Sequence, residues 1–158
     1  MIDVELRNLV IHADGPASGW TATLVAEDLP IARVEHDEHD ILRIVELADG
    51  RSHRDVEAVR VAMMHESPDL GTLALGVRCS ELLAWEWMRL GVADMLSEKA
   101  VGIVGEGAAA ELKAVVVPEG GSIDGAIAYL KASEPGIRML NGMDIDAAVE
   151  AWLEVPAD

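Results

Sequence analysis

Cysteine occurs once in this 158-residue chain, lysine three times, and no apolar stretch is long. Cys79 has no second thiol with which to form an internal bridge, so no disulfide framework is expected. None is needed, because a chain of this length buries roughly two-thirds of its unfolded surface. The apolar stretches, such as Leu112–Pro118 with Lys113 inside it, fall far short of the ~20 residues that cross a bilayer. No N-terminal stretch joins basic residues to an apolar run and a small-residue cleavage site, so a cytoplasmic protein without membrane contact is expected. Catalytic signatures are missing too. No serine stands in a G-x-S-x-G elbow, and the carboxylates are too many for any pair to stand out. The expectation leans away from an enzyme.

What the chain has is acidity without loss of apolar residues. Asp and Glu number 29 against 12 Lys and Arg, a net charge of -17, while 51% of residues are hydrophobic. A chain this apolar builds a core, so the charge is carried on the outside of a folded body. Three readings compete: solubility alone, adaptation to salt, and recognition of a protein partner with a basic surface. Direct binding to nucleic acid is the outcome least expected, because phosphate is repelled from almost every side.

Along the chain, Ile2, Val4, Leu6 and Leu9–Ile11 alternate with polar residues as a half-buried strand does, and the turn cluster Asp14-Gly15-Pro16-Ala17-Ser18-Gly19 stops it. Strand patterns follow at Trp20–Ala26 and Ile31–His36, with Glu27-Asp28-Leu29-Pro30 between them as a hairpin connection. Ile41–Leu47, closed by Ala48-Asp49-Gly50, reads as a fourth strand in preference to a short helix. After Gly50 the period changes. Ser52 or Asp55 caps a helix with Val56, Val59 and Met63 on one face, and Pro68 ends it. Leu70, Leu73 and Val77 suit a separate helical turn before a longer helix, Ser80–Glu98, whose apolar side holds Leu83, Trp87, Leu90 and Met95. Strands are then expected at Ala100–Val104, Glu111–Val117 and Ile137–Leu140, and helices at Ile123–Ala132 and Asp144–Leu153. The fold class is α+β: an N-terminal antiparallel β-meander followed by a mixed, more helical C-terminal half. It reads as one domain over residues 1–158, with 50–54 as the place for any sub-boundary.

Chemistry concentrates in one loop, Glu35-His36-Asp37-Glu38-His39-Asp40. Imidazoles and carboxylates ligate Zn or Mn, and His36, Asp37, His39 and Asp40 would converge on one ion if the backbone turned there. A metal-dependent hydrolase is therefore the rival reading, set against a plain solvated loop with no cofactor. His12, His53 and His65 are dispersed, and the sequence places none of them beside the loop. The glycines of Gly102-Ile103-Val104-Gly105-Glu106-Gly107 fit neither phosphate-loop spacing and read as a turn between strands. Arg78 stands next to Cys79 and would favour a thiolate, but a lone cysteine near a helix start is more often a small core residue. Ser80 and Ser122 read as helix caps. Trp85 and Trp87 lie about 200° apart on a helix, so one is expected at the surface. An exposed indole beside Glu86, together with Glu35, Asp37, Glu38 and Asp40, would make an interface. Self-association is a further outlet, with a symmetric homodimer its commonest form.

The hairpin Trp20-Thr21-Ala22-Thr23-Leu24 with Ile31-Ala32-Arg33-Val34 resembles the opening of small phage- and prophage-encoded α+β proteins. Ser97-Glu98-Lys99-Ala100-Val101, and Met139-Leu140-Asn141-Gly142 leading into Ala147-Ala148-Val149-Glu150-Ala151-Trp152, are similar to their second half. Where those proteins carry an Asn-Asp-Gly turn and further glycines, this chain has His36-Asp37-Glu38-His39-Asp40. The resemblance implies a mobile-element accessory protein in the host cytoplasm, of a kind that often blocks host defences. The function expected on these grounds is a non-catalytic antagonist that occludes a basic, nucleic-acid-binding surface of a host defence complex. A purely structural, dimeric accessory role is the alternative.

Overall fold

The computed structural model describes residues 1–12, 19–36 and 42–156. Within them the alternating N-terminal pattern forms a four-stranded antiparallel sheet: β1 (Val4–Ile11), β2 (Trp20–Ala26), β3 (Leu29–His36) and β4 (Leu42–Leu47), in that spatial order. Alternation sends Trp20, Ala22 and Leu24 to one face, where they are buried. The β2–β3 connection is tighter than the sequence implies, since β3 already begins at Leu29. Glu27 and Asp28 both adopt positive φ (51° and 62°), the conformation a two-residue hairpin needs and one usually left to Asn and Gly. Asp3 N–H donates to the Glu27 carboxylate at 2.9 Å, and Arg7 meets Asp28 at 2.9 Å.

Helix α1 (His53–Glu66) follows. The Ser52 N–H and hydroxyl both donate to the Asp55 carboxylate, at 2.7 and 2.8 Å, which fixes the first turn. Val56, Val59 and Met63 recur at helical spacing and are buried in one cluster with Trp20, Leu24 and Val34 of the sheet. The chain then makes short 3₁₀ turns over Pro68–Leu73, kinked at Gly71, whose φ of 53° favours glycine. Helix α2 (Ala74–Glu98) starts there, earlier than the expected Ser80.

Helix α2 leads directly into β5 (Lys99–Val104), which pairs on one side with β6 (Glu111–Val116) and on the other with the two-residue β7 (Arg138–Met139), all antiparallel. Helix α3 (Ile123–Ser133), capped by Ser122 whose hydroxyl accepts from the Gly125 N–H at 3.1 Å, buries Ala126 and Leu130 against Ala100 of β5. Helix α4 (Ile145–Leu153) closes the chain with Ala148, Val149 and Ala151 buried. Asn141 ties three segments together: its Oδ1 accepts from Val101 N–H at 2.7 Å and its amide donates to the carbonyls of Leu96 and Lys99 at 3.1 and 2.9 Å.

The chain forms two compact units, Met1–Glu86 and Trp87–Asp158, and the passage from one to the other falls inside α2. The change from sheet to helix at residues 50–54 lies within the first unit. In α2, Leu75, Cys79 and Leu83 are buried in the first half and Val92 in the second. Trp87 and Leu90, expected on the apolar side, are exposed (46% and 52%). A single helical stripe assumes one buried face along the whole helix, and here each unit draws on its own residues. No helix among the described residues is long and apolar enough to cross a membrane.

Candidate functional site

The sheet of the first unit ends in an aromatic stack. Trp20 and His36, paired across β2 and β3, lie with ring centroids 5.5 Å apart and planes 8° from parallel. Trp20 is 1% exposed and His36 half-buried. Close by, a side chain at Gly19 would touch the His12 ring at 3.0 Å and the His36 carbonyl at 2.9 Å. The structure thus brings His12 to this end of the sheet, which its place in the sequence does not show. His53 and His65 belong to α1.

His36 also opens onto a groove of about 1010 Å³ within the first unit. Leu42 adjoins it from β4, Glu57, Arg60, Val61 and Met64 from α1, and Thr72 and Leu73 from the 3₁₀ segment. Leu75, Gly76, Val77, Ser80, Glu81 and Ala84 of α2 complete the wall. The doublet Met63-Met64 divides between core and groove: neighbours on a helix point about 100° apart, so Met63 enters the core while Met64 turns to the groove. The kink at Gly71 leaves Leu73 68% exposed, and Val61 is 41% exposed. Charges sit on the walls as local pairs, Glu57 with Arg60 at 3.2 Å and Glu81 with Arg78 at 3.6 Å. Of this set the sequence draws notice to Leu73 and Val77 as a helical turn, to Ser80 as a cap and to His36 as a metal ligand of the rival reading, and it brings none of them together.

The expected site residues separate. Asp37, Glu38, His39 and Asp40 lie outside the described residues. Glu35 is half-buried and paired with Arg43 of β4. Trp85 and Glu86 are half-buried, Trp87 is exposed, and none of the three lines the groove, although Glu81 and Ala84 one turn earlier do. Among the described residues, no three His, Cys, Asp or Glu side chains are grouped to hold a metal ion. Cys79 is fully buried, and burial outweighs the opposing influence of Arg78, pushing its thiol up to about 12. It is a core residue well inside α2, not one near a helix start. Ser80 is likewise no cap: it lies within α2, exposed on the groove wall. The glycine cluster makes the turn between the paired strands β5 and β6.

The cations are largely spoken for. Among the described residues, Arg7, Arg43, Arg51, Arg60, Arg78, Arg89, Lys113 and Arg138 each stand within ion-pair distance of a carboxylate. The acidic excess is shared between the units: 17 acidic and 7 basic residues in Met1–Glu86, 12 and 5 in Trp87–Asp158. Comparison with protein-family models, curated proteins and solved structures finds no match.

Proposed function

We propose that the protein is a non-catalytic, acidic interaction protein whose first unit receives an apolar segment of a basic protein partner. The groove between α1 and the start of α2 carries this reading: it leaves Leu73 and Val61 open to solvent on a chain of net charge -17. Exposed apolar surface ringed by polar groups is where association energy concentrates, and the acid excess supplies long-range attraction for a cationic partner. An amphipathic helix with leucines on one face and lysines on the other matches this combination. In its sharper form, which draws on the resemblance to phage-encoded proteins, the partner's basic surface is a nucleic-acid-binding one of a host defence complex, and the acidic chain occludes it.

The test is titration with a helical peptide of alternating leucine and lysine faces, followed by fluorescence anisotropy. Affinity is expected to fall roughly tenfold or more between about 50 mM and about 500 mM NaCl. The double change Val61→Gln and Leu73→Gln is expected to weaken it by a similar factor. Binding indifferent to both salt and the substitutions would overturn the groove as the docking site. For the sharper form, an unchanged loading of nucleic acid onto a candidate effector would remove occlusion.

A further inference from the structure

The second unit carries a separate surface built from an open strand edge and an apolar hollow. β6 ends its sheet in the order β6-β5-β7, and its pairing with β5 runs in unbroken register from Val104↔Glu111 to Lys99↔Val116. Val117 N–H donates to the Glu98 carbonyl at 3.3 Å. Antiparallel pairing alternates the direction of backbone groups, so Leu112, Ala114 and Val116 turn their N–H and C=O groups away from β5. The strand carries no proline and no bulge, two of the devices that blunt an edge. Beside it lies a hollow of about 400 Å³ between Val115, Val116 and Pro118 on one side and Ala126 and Tyr129 of α3 on the other. Val116 and Tyr129 are 65% and 63% exposed.

The charge around this edge selects the occupant. Residues 111–134 hold Glu111, Glu119, Asp124 and Glu134 against Lys113 and Lys131, and Glu111 engages Lys113 at 2.8 Å. A second copy of the chain would bring -17 against -17. We infer that the open edge of β6 and the hollow beside α3 bind an extended, cationic peptide segment of a protein partner. The segment adds a strand to β6, places one apolar side chain in the hollow beside Tyr129, and sets its lysines or arginines toward Glu119 and Asp124. Backbone pairing supplies the affinity and the hollow the selectivity. The inference rests on the proposed function for the basic character of the partner, but not on the groove.

The experiment mixes the intact protein with a capped peptide of about eight alternating lysines and valines, with a glutamate–valine peptide as control, and follows backbone amide exchange. The lysine peptide is expected to slow exchange at Leu112, Ala114 and Val116 roughly tenfold or more at saturation, and the glutamate peptide to leave it unchanged. Ala114→Pro deletes an outward N–H, and Val116→Lys places a like charge at an exposed position that folding tolerates. Each is expected to weaken binding about tenfold. The groove variant carrying Val61→Gln and Leu73→Gln is expected to bind the extended peptide normally, so failure of the groove and failure of the edge are read apart. Equal binding of both peptides, no protection at the three amides, or unchanged affinity of Val116→Lys would overturn the inference. So would protection that grows with protein concentration in the absence of peptide, which would make a second copy the occupant.

Discussion

Trp20 and His36 stack face to face across β2 and β3, yet among the described residues the Trp20 indole N–H has no hydrogen-bond partner. A buried unsatisfied donor costs about 1–3 kcal/mol. Trp20→Phe removes that donor while keeping a ring for His36 to stack on, so the cavity it opens is offset. The expected loss is within about 1 kcal/mol, against about 3–5 kcal/mol for Trp20→Ala. Urea unfolding of the two variants decides the matter, and equal losses would mean that the N–H is satisfied.

Asn141 makes three hydrogen bonds in the second unit, one accepted from β5 and two donated to the end of α2 and the start of β5. Asn141→Ala leaves the part-buried Val101 N–H and two carbonyls without it, an expected loss of about 2–4 kcal/mol. Asn141→Asp keeps the acceptor but sets a carboxylate against the Leu96 and Lys99 carbonyls. It is expected to destabilise at neutral pH and to recover in part when protonated in acid, as thermal melts across pH would show.

Much of this architecture was legible where a local rule and the tertiary fold agree. β2 runs over the expected Trp20–Ala26, Val56, Val59 and Met63 share the buried face of α1, and Ser122 caps α3. Legibility failed where two demands met on one segment. Glu27-Asp28 carries no glycine or asparagine to announce a tight hairpin, and is held by Asp3 and Arg7 from β1 and the residues before it. The stripe Leu83-Trp87-Leu90-Met95 has helical spacing, but α2 serves two units and exposes Trp87. The groove was illegible because it depends on the kink at Gly71, which sets the start of α2 beside α1.

Cys79 yields a kinetic prediction. With its thiol fully buried and pushed up to about 12, native protein at mildly alkaline pH is expected to react with a thiol reagent only after opening. Labelling should then track unfolding across a denaturant series. The raised pKa disfavours the thiolate in the folded state, so this contribution to stability is complete below the unfolded thiol's value near 9 and declines as pH rises past it. Cys79→Ala should flatten that alkaline decline, and rapid labelling of native protein would contradict the burial.

Asp55 acts at the other end of the pH scale. Its carboxyl is held below the usual value of 3.8, first by the Ser52 hydroxyl bond and then by the Ser52 N–H. A lowered folded-state pKa stabilises above the unfolded value and is lost as pH falls through the folded one. Asp55→Asn is therefore expected to lower stability near neutrality and to converge with the parent as pH falls through the lowered folded-state value. Parallel acid unfolding curves for the two proteins would rule this out.

Salt separates the two roles of the charge. Exposed ion pairs such as Arg138–Glu154 and Lys113–Glu111 contribute little each and weaken on screening. Opposing them is repulsion among the acidic residues left over once the cations are engaged, spread over both units at 17 against 7 and 12 against 5. Repulsion of a net charge of -17 acts between many pairs at once, so it outweighs the few local attractions. The melting temperature is expected to rise by several degrees between about 0.01 M and about 1 M NaCl, over which the screening length shrinks from ~30 Å to ~3 Å. Peptide binding at the groove and at the β6 edge should weaken over the same range. A melting temperature that falls with added salt would mean that the ion pairs, not the acid excess, govern stability.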